Sequence, residues 1–430
     1  MLQFHFEWED PMGARGDELR ATWSSFDIQI GQRHVTRVID GATNAFRTKI
    51  YLPLYPLAEW FVNNWWPLRQ ECMAPGRDDR EYSRRHNILF ASEGFALPSL
   101  TFQPAGDVFR LIWSPRNLSK QRLQFTDQGY ETVSMQSVED CLMHFVSSVV
   151  ARLEDRGVSG TTLQIEWSAI QALTDDESVF CNVAGALGLD PLSVPEELSD
   201  EMIRVSNSLP SELRTEFFDA ASGTDLTTQA DWVMRSLDSV KASHVSLGRF
   251  ADDRRELENG SNEQPWDAGY RTARWLRSKL GLSDHRKVEL DDIATGLGNS
   301  VKAKSCIHSA FDAVADFTDG DRAAFLTRSA RPETQRFAVA RGLSEFLDAR
   351  KAHSALITSS INDRQQRNRA FAAEFLAPAS LIAKSVSGSP VTIAEVADIA
   401  QDFGVSPHVI EHQIKNHGIG HVLKEFAVVA

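Results

Sequence analysis

Two short stretches of this chain hold residue types at spacings that bear on metal chemistry. In His408-Val409-Ile410-Glu411-His412, two imidazoles stand at i and i+4 with a carboxylate beside the second. On a helix that spacing puts both rings on one face, where they can share a zinc ion. The order His-x-x-Glu-His satisfies a reversed zinc-peptidase pattern, in which the glutamate takes the proton of a metal-bound water. A five-residue pattern with three fixed positions also arises by chance, so histidines on a helix surface are the simpler expectation. His308 and His353 are the other imidazoles considered as relocated ligands.

The second stretch, Arg336–Leu347, reads "RFAVARGLSEFL" and has the pattern of a helix. Arg341 and Glu345 stand at i and i+4, the spacing of a helical ion pair. A later segment, "RNRAFAAEFLAP", also reads as a helix and begins at Arg367. Around both lie "WDAGYRTARWLRSKLGL", "VELDDIATGLGNSVK" and "TIAEVADIAQDFGVSPHVIEHQIKNHGI", further helical pieces in fixed order.

Taken in that order, residues 266–420 resemble the ImmA/IrrE-type zinc metallopeptidase family. The resemblance implies a helix bearing HExxH, whose histidines bind zinc and whose glutamate is the base, with a third ligand from a later helix. Carried over, the first histidine falls on Arg341, the base on Gly342, the second histidine on Glu345 and the later ligand on Arg367. Arginine is permanently charged and offers no lone pair, and glycine has no side chain to take a proton. Glu345 alone retains a group able to bind metal, so the motif is degenerate. An Arg341–Glu345 pair, joined by Arg367, is expected in the space of the metal, with Glu374 or another acid balancing the charge. The resemblance also implies a setting of regulation, stress or phage biology, because members of the family cleave repressor-type regulators.

The elements that position these residues follow from pattern and punctuation. Residues 1–157 read as an α/β module, with a strand in "TWSSFDIQIG", a charged loop over 76–86 and a long helix opened by Ser137. Residues 158–250 read as a helical region broken at Pro191, Pro195 and Pro210. The polar run 251–265 reads as a linker, and 266–430 as the peptidase-like domain with a small sheet. The fold class expected is therefore α+β multidomain, mostly helical toward the C-terminus. Trp60, Trp65 and Trp66 are expected in a core, since aromatic side chains carry much of a domain's buried area.

Composition narrows the function classes. With 42% apolar and 24% charged residues the 430-residue chain is ordinary for a globular protein. There is no apolar run of 18 residues, and the first twenty residues lack the pattern of a signal peptide, so a cytoplasmic protein away from membranes is expected. Cys72, Cys141, Cys181 and Cys306 form no CxxC pair, which argues for reduced thiols over a zinc ribbon. A net charge of −14 disfavours DNA as a partner unless positive charge is concentrated locally. Residues 396–418 have helix-turn-helix form, but the second helix carries one lysine, Lys415, and so reads as a helical pair packed on the core. No P-loop, GxGxxG after a strand or GxSxG occurs.

The sequence thus points to a non-catalytic, pseudo-peptidase interaction protein that binds a protein or peptide partner through a remnant cleft, without a cofactor. The alternatives are an active zinc peptidase using His408, Glu411 and His412, and a DNA-binding regulator.

Overall fold

A computed structural model describes residues 1–10, 16–73, 79–115, 122–221, 225–248, 263–306, 308, 310–318, 321–348, 351–386, 388 and 390–423. The chain forms two compact units, Met1–Arg204 and Val205–Ala430, each a mixture of helices and small antiparallel sheets. The helical region expected over 158–250 is divided between them. Its first part packs on helices of the first unit, and its second part covers the sheet of the second. Most of the expected linker, 251–262, lies outside the described residues, and Pro265 already opens a helix.

In the first unit, β1 (Leu2–Trp8), α1 (Asp17–Ala21), β2 (Trp23–Ile30), β3 (Arg33–His34), β4 (Val38–Asp40), β5 (Ala45–Arg47) and β6 (Ile50–Pro53) come first. Then follow α2 (Tyr55–Asn63), α3 (Trp65–Gln70), α4 (Asp79–His86), β7 (Ser99–Pro104), β8 (Val108–Ser114), β9 (Leu123–Phe125) and β10 (Gly129–Ser134). The helices α5 (Met135–Asp155), α6 (Thr162–Gln171), α7 (Asp175–Ala186) and α8 (Glu196–Ser208) close the unit, the boundary falling inside α8. β2 is the hub of one sheet, pairing antiparallel with β1, β3 and β6. The other two sheets have the orders β10-β8-β7 and β5-β4-β9. α5 lies on β1, β8 and β10 and delivers Phe145 among Phe4, Phe26 and Phe61, with the Phe4 and Phe145 centroids 5.1 Å apart edge to face.

Three local expectations change here. The charged stretch read as a loop is helical from Asp79, because Tyr82 and His86, one turn apart, stack at 3.9 Å and bury. α5 starts at Met135, since the Ser134 hydroxyl accepts from the Ser137 N–H and caps it two residues earlier than expected. Trp60 and Trp65 are buried as expected, while Trp66 is partly exposed against the same core. The four cysteines form no disulfide with one another, and two of them are buried.

The second unit is built on a sheet of order β11-β14-β13-β15, from β11 (Val245–Ser246), β13 (Phe311–Phe317), β14 (Arg322–Thr327) and β15 (His353–Thr358), with β12 (Lys302–Ala303) parallel to β14. β13, β14 and β15 are buried almost without a break, as strands covered on both faces must be. The covering helices are α9 (Ser211–Ala220), α10 (Leu226–Lys241) and α14 (Pro332–Asp348). α11 (Pro265–Lys279) runs along α15 (Asp363–Leu376), which in turn packs on α14. Two short turns of helix, α12 (Leu290–Ile293) and α13 (Leu297–Ser300), precede β12. α16 (Ala379–Ser385), α17 (Ile393–Phe403) and α18 (Pro407–Asn416) complete the unit. Gly404, at φ 63°, ends α17 in the left-handed region and turns the chain into α18. Among the described residues no helix is long and apolar enough to cross a membrane.

Candidate functional site

The positions singled out in the sequence do converge. Arg341, Gly342 and Glu345 lie on α14, and Arg367 lies on the facing side of α15. Arg341 and Glu345 are buried to within a few per cent, at 3% and 4% exposure. The expected direct pair between them does not form. Each is taken by partners across the helix–helix and helix–sheet seams.

Arg341 works as a three-way tie. Its Nη1 donates to Asp312 Oδ2 at 2.7 Å on β13, and its Nη2 donates to Gln365 Oε1 at 2.6 Å and to the backbone oxygen of Thr358 on β15. Burial pushes its guanidinium below the ordinary range, while Asp312 and Glu345 hold it up. Glu345 accepts from Arg364 Nη1 at 3.0 Å, from Arg367 Nη2 at 3.4 Å and from Asn368 Nδ2. Burial raises its carboxyl, and Arg367 and Asn368 draw it back down.

The charge closes through acids that the sequence did not single out. Arg367 pairs with Asp348 at 2.7 Å, Arg364 with Glu216, and Arg328 with Asp312 at 3.3 Å. Glu374, the expected balancing acid, looks the other way. It takes Arg274 at 2.8 Å and the side-chain amide of Gln413 at 2.9 Å. Four arginines (328, 341, 364 and 367) therefore face Glu216, Asp312, Glu345 and Asp348. Arg369, whose donors go to backbone oxygens, is a fifth cation beside Arg341 and Asp312.

Gly342 is where α14 presses on the sheet. A Cβ at this position would lie 2.5 Å from Cε1 and 3.0 Å from Cδ1 of Phe325, a ring fixed in the core. Any side chain here, a glutamate included, collides before it reaches solvent.

The same network closes the edge of the sheet. β15 is the outermost strand, and an edge strand offers backbone groups to which an extended peptide can add. Here the Leu356 N–H donates to Glu216 Oε2 at 2.9 Å, and its oxygen accepts from Arg364 at 3.0 Å and Gln365 at 2.9 Å. The Thr358 N–H donates to Gln365 Oε1 at 3.3 Å, and its oxygen is held by Arg341. Side chains occupy the sites that a pairing strand would need. Arg369 continues the pattern one turn on, donating to the oxygens of Ser359 at 2.9 Å and Ser360 at 3.0 Å. Burial pulls both Arg364 and Arg369 down to about 9.

The other candidate residues are not brought to this site. His408 and His412 lie on the exposed side of α18, their ring centroids 4.3 Å apart, while Val409, Ile410, Gln413 and Ile414 face the core. Glu411 is partly exposed beside them, and burial with the neighbouring His408 and Lys415 holds His412 below its ordinary range. His353 packs against Phe317 at 4.8 Å, and His308 against Phe311 at 5.8 Å. Among the described residues no three His, Cys, Asp or Glu side chains are grouped to hold a metal ion. At Arg341, Gly342, Glu345 and Arg367 the donor set does not fit zinc, since Glu345 alone offers a lone pair and it is already taken.

Asp312, Glu216, Arg364, Gln365 and Asn368 escaped the sequence reading. A signal for three of them was present: α15 starts at Asp363, four residues before the expected start, so residues 364, 365 and 368 share a stripe at helical spacing. Asp312 and Glu216 come from other elements, and nothing local marks them. Comparison of the chain with models of known protein families, with curated proteins and with solved structures gives no match.

Proposed function

We propose that the second unit is a peptidase-like module of the ImmA/IrrE type that has no hydrolytic chemistry, and that the protein acts by binding a protein or peptide partner in a regulatory setting. The observation that carries this reading is the pair of changes on α14. The position of the base is filled by Phe325 against Gly342, and the positions of the ligands are committed to holding β15 and α15. Arginines that bind backbone oxygens and carboxylates in this way serve architecture, because the terminal nitrogens of Arg341 and Arg367 are taken up inside the fold.

A partner must then meet the module at the rim of the network. Arg364, Arg367 and Asp348 keep partly exposed side chains there, at 26%, 21% and 43%. Strand addition at residues 356–358 is blocked, so recognition by side chains is the mode that this surface allows.

Elemental mass spectrometry on protein purified without a metal-affinity step tests the first half of the proposal. The expected result is no stoichiometric zinc, and no cleavage of a helix-turn-helix repressor after zinc is added. About one zinc per chain, lost on His408→Ala or His412→Ala, would instead support the relocated-ligand peptidase. For the second half, cross-linking in cells should map a recurring protein partner to α14 and α15, and Arg367→Glu should remove those cross-links while leaving the fold of the first unit intact.

A further inference from the structure

The first unit has an open recess of about 520 Å³ whose lining includes His34, Arg37, Phe46, Arg47, Lys49 and Tyr51. The volume lies within the range of small-ligand sites, roughly 300–1,000 Å³. The lining holds four basic side chains, two aromatic rings and no carboxylate. In a chain of net charge −14 this is a local gathering of basic groups, although Asp27, Asp40 and Glu7 pair with three of them from just outside the lining.

The rings are unusually wet. Phe46 is 67% exposed and Tyr51 48% exposed, on the neighbouring elements β5 and β6. The Arg37 guanidinium carbon lies 5.6 Å from the centre of the Phe46 ring, and its charge also helps to hold the Asp127 carboxyl below its ordinary range. Arg47 shares the buried Asp40 with Arg122, at 3.0 and 3.1 Å. Lys49 meets the exposed Glu7 at 3.3 Å, a pair weak enough to yield to a better anion. His34 is held by Asp27 at 2.8 Å and belongs to the wall.

We propose that this recess binds a nucleotide unit, its base stacked on Phe46 and Tyr51 and its phosphate held by Arg37, Arg47 and Lys49. Exposed rings interleaved with guanidinium and ammonium groups are the pattern of single-strand binding, in which every base has a face to stack and every link a charge to neutralise. An acidic peptide satisfies the cations but leaves the rings wet. The unit can come as a free nucleotide or as part of a strand, and the recess has the chemistry for both.

The test uses the full chain and a fluorescein-labelled oligothymidylate of about ten residues, followed by anisotropy at roughly 50 mM salt. Binding is expected, weakening as salt is raised with a slope of about −0.7 for each phosphate met on a single strand. Phe46→Ala should weaken it about tenfold. Arg37→Ala should weaken it and also lower the slope by about 0.7. Both side chains are exposed, so both variants should keep the wild-type melting temperature. Displacement of the probe by thymidine monophosphate would identify a free nucleotide as the source, and displacement by unlabelled oligothymidylate alone would identify a strand. Absence of binding to both ligands would overturn the proposal. So would binding that neither substitution changes, or polyglutamate displacing the probe as well as the unlabelled strand does.

Discussion

Glu345 is the most exacting place to test the network between α14 and α15. Its carboxylate is 4% exposed and accepts from Arg364, Arg367 and Asn368. Glu345→Ala leaves those donors buried with one acceptor fewer each. Breaking a buried pair by removing one partner costs about 3–5 kcal/mol, because the remaining charge is uncompensated. Two features place the cost toward the low end: Arg364 retains Glu216 and the Leu356 oxygen, and Arg367 retains Asp348 at 2.7 Å. The amide of Asn368 loses its carboxylate acceptor, which adds about 1–3 kcal/mol for a buried donor. The expected loss is therefore about 4 kcal/mol. Glu345→Gln keeps an oxygen for Asn368 and removes only the charge, so about half that loss is expected.

Two compact units make a single melting curve a poor readout, since each can unfold on its own. Native-state hydrogen exchange resolves them, because the slowest amides of a unit report its own opening free energy. Peptides spanning 332–348 and 353–376 should lose protection in Glu345→Ala, and peptides spanning 135–155 in the first unit should not. A loss below about 1 kcal/mol would refute the argument, because that is the range of solvent-screened surface pairs.

Other outcomes follow from the same geometry. Gly342→Ala gains about 1 kcal/mol of helix propensity but drives a methyl into Phe325; overpacking of about 1–3 kcal/mol should win, lowering the melting temperature of the second unit by a few degrees. Arg341→Lys replaces a planar fork serving Asp312, Gln365 and Thr358 with a single ammonium, so faster exchange at the Thr358 and Leu356 amides is expected, with a loss of about 2 kcal/mol. In the first unit, His86 and Arg85 hold the buried Glu71 carboxyl down at about 2 against its burial, from an ordinary 4.5. A depressed carboxyl contributes stability that is complete above its unfolded value and is lost as pH falls toward its folded one. Glu71→Gln should therefore cost about 3 kcal/mol near neutral pH, and the difference from wild type, read by urea titration, should shrink between about pH 5 and pH 2.

How far the sequence reached can be judged from these residues. Periodicity located α14, α15, α17 and α18, and it put Arg341 and Glu345 on one face of α14, because positions four apart on a helix share a face; Arg367, on another helix, was joined to them only by the family resemblance. It could not choose partners. Asp312 comes from β13 and Glu216 from α9, and long-range proximity leaves no mark on local pattern. The start of α15 was read four residues late, because "DRQQ" is polar and lacks an apolar stripe, although Gln365 and Asn368 are fully buried by hydrogen bonding. The helix over 79–86 was hidden in the same way, by charge along its length. Two exposed rings and three cations within fifteen residues, 37–51, were present in the sequence, but they come together only when β5 and β6 fold into one recess.

The residues at 341, 342 and 345 on α14 explain one another. An arginine at 341 needs acceptors, and the end of β15 supplies a backbone oxygen that an edge strand would otherwise offer to a partner. Once that guanidinium is buried, a glutamate at 345 improves its electrostatic surroundings, and Arg364 and Arg367 make that glutamate tolerable in turn. With these side chains committed to one another, glycine at 342 lets α14 settle on Phe325. Placing a single histidine there would break the tie without building a site. Arg341→His should therefore loosen β15 and bind no zinc, as hydrogen exchange and metal analysis on the same sample can establish. Tight zinc binding by that variant would refute the argument, because it would mean that the donors around position 341 can be drawn away from β15 and α15 to hold a metal.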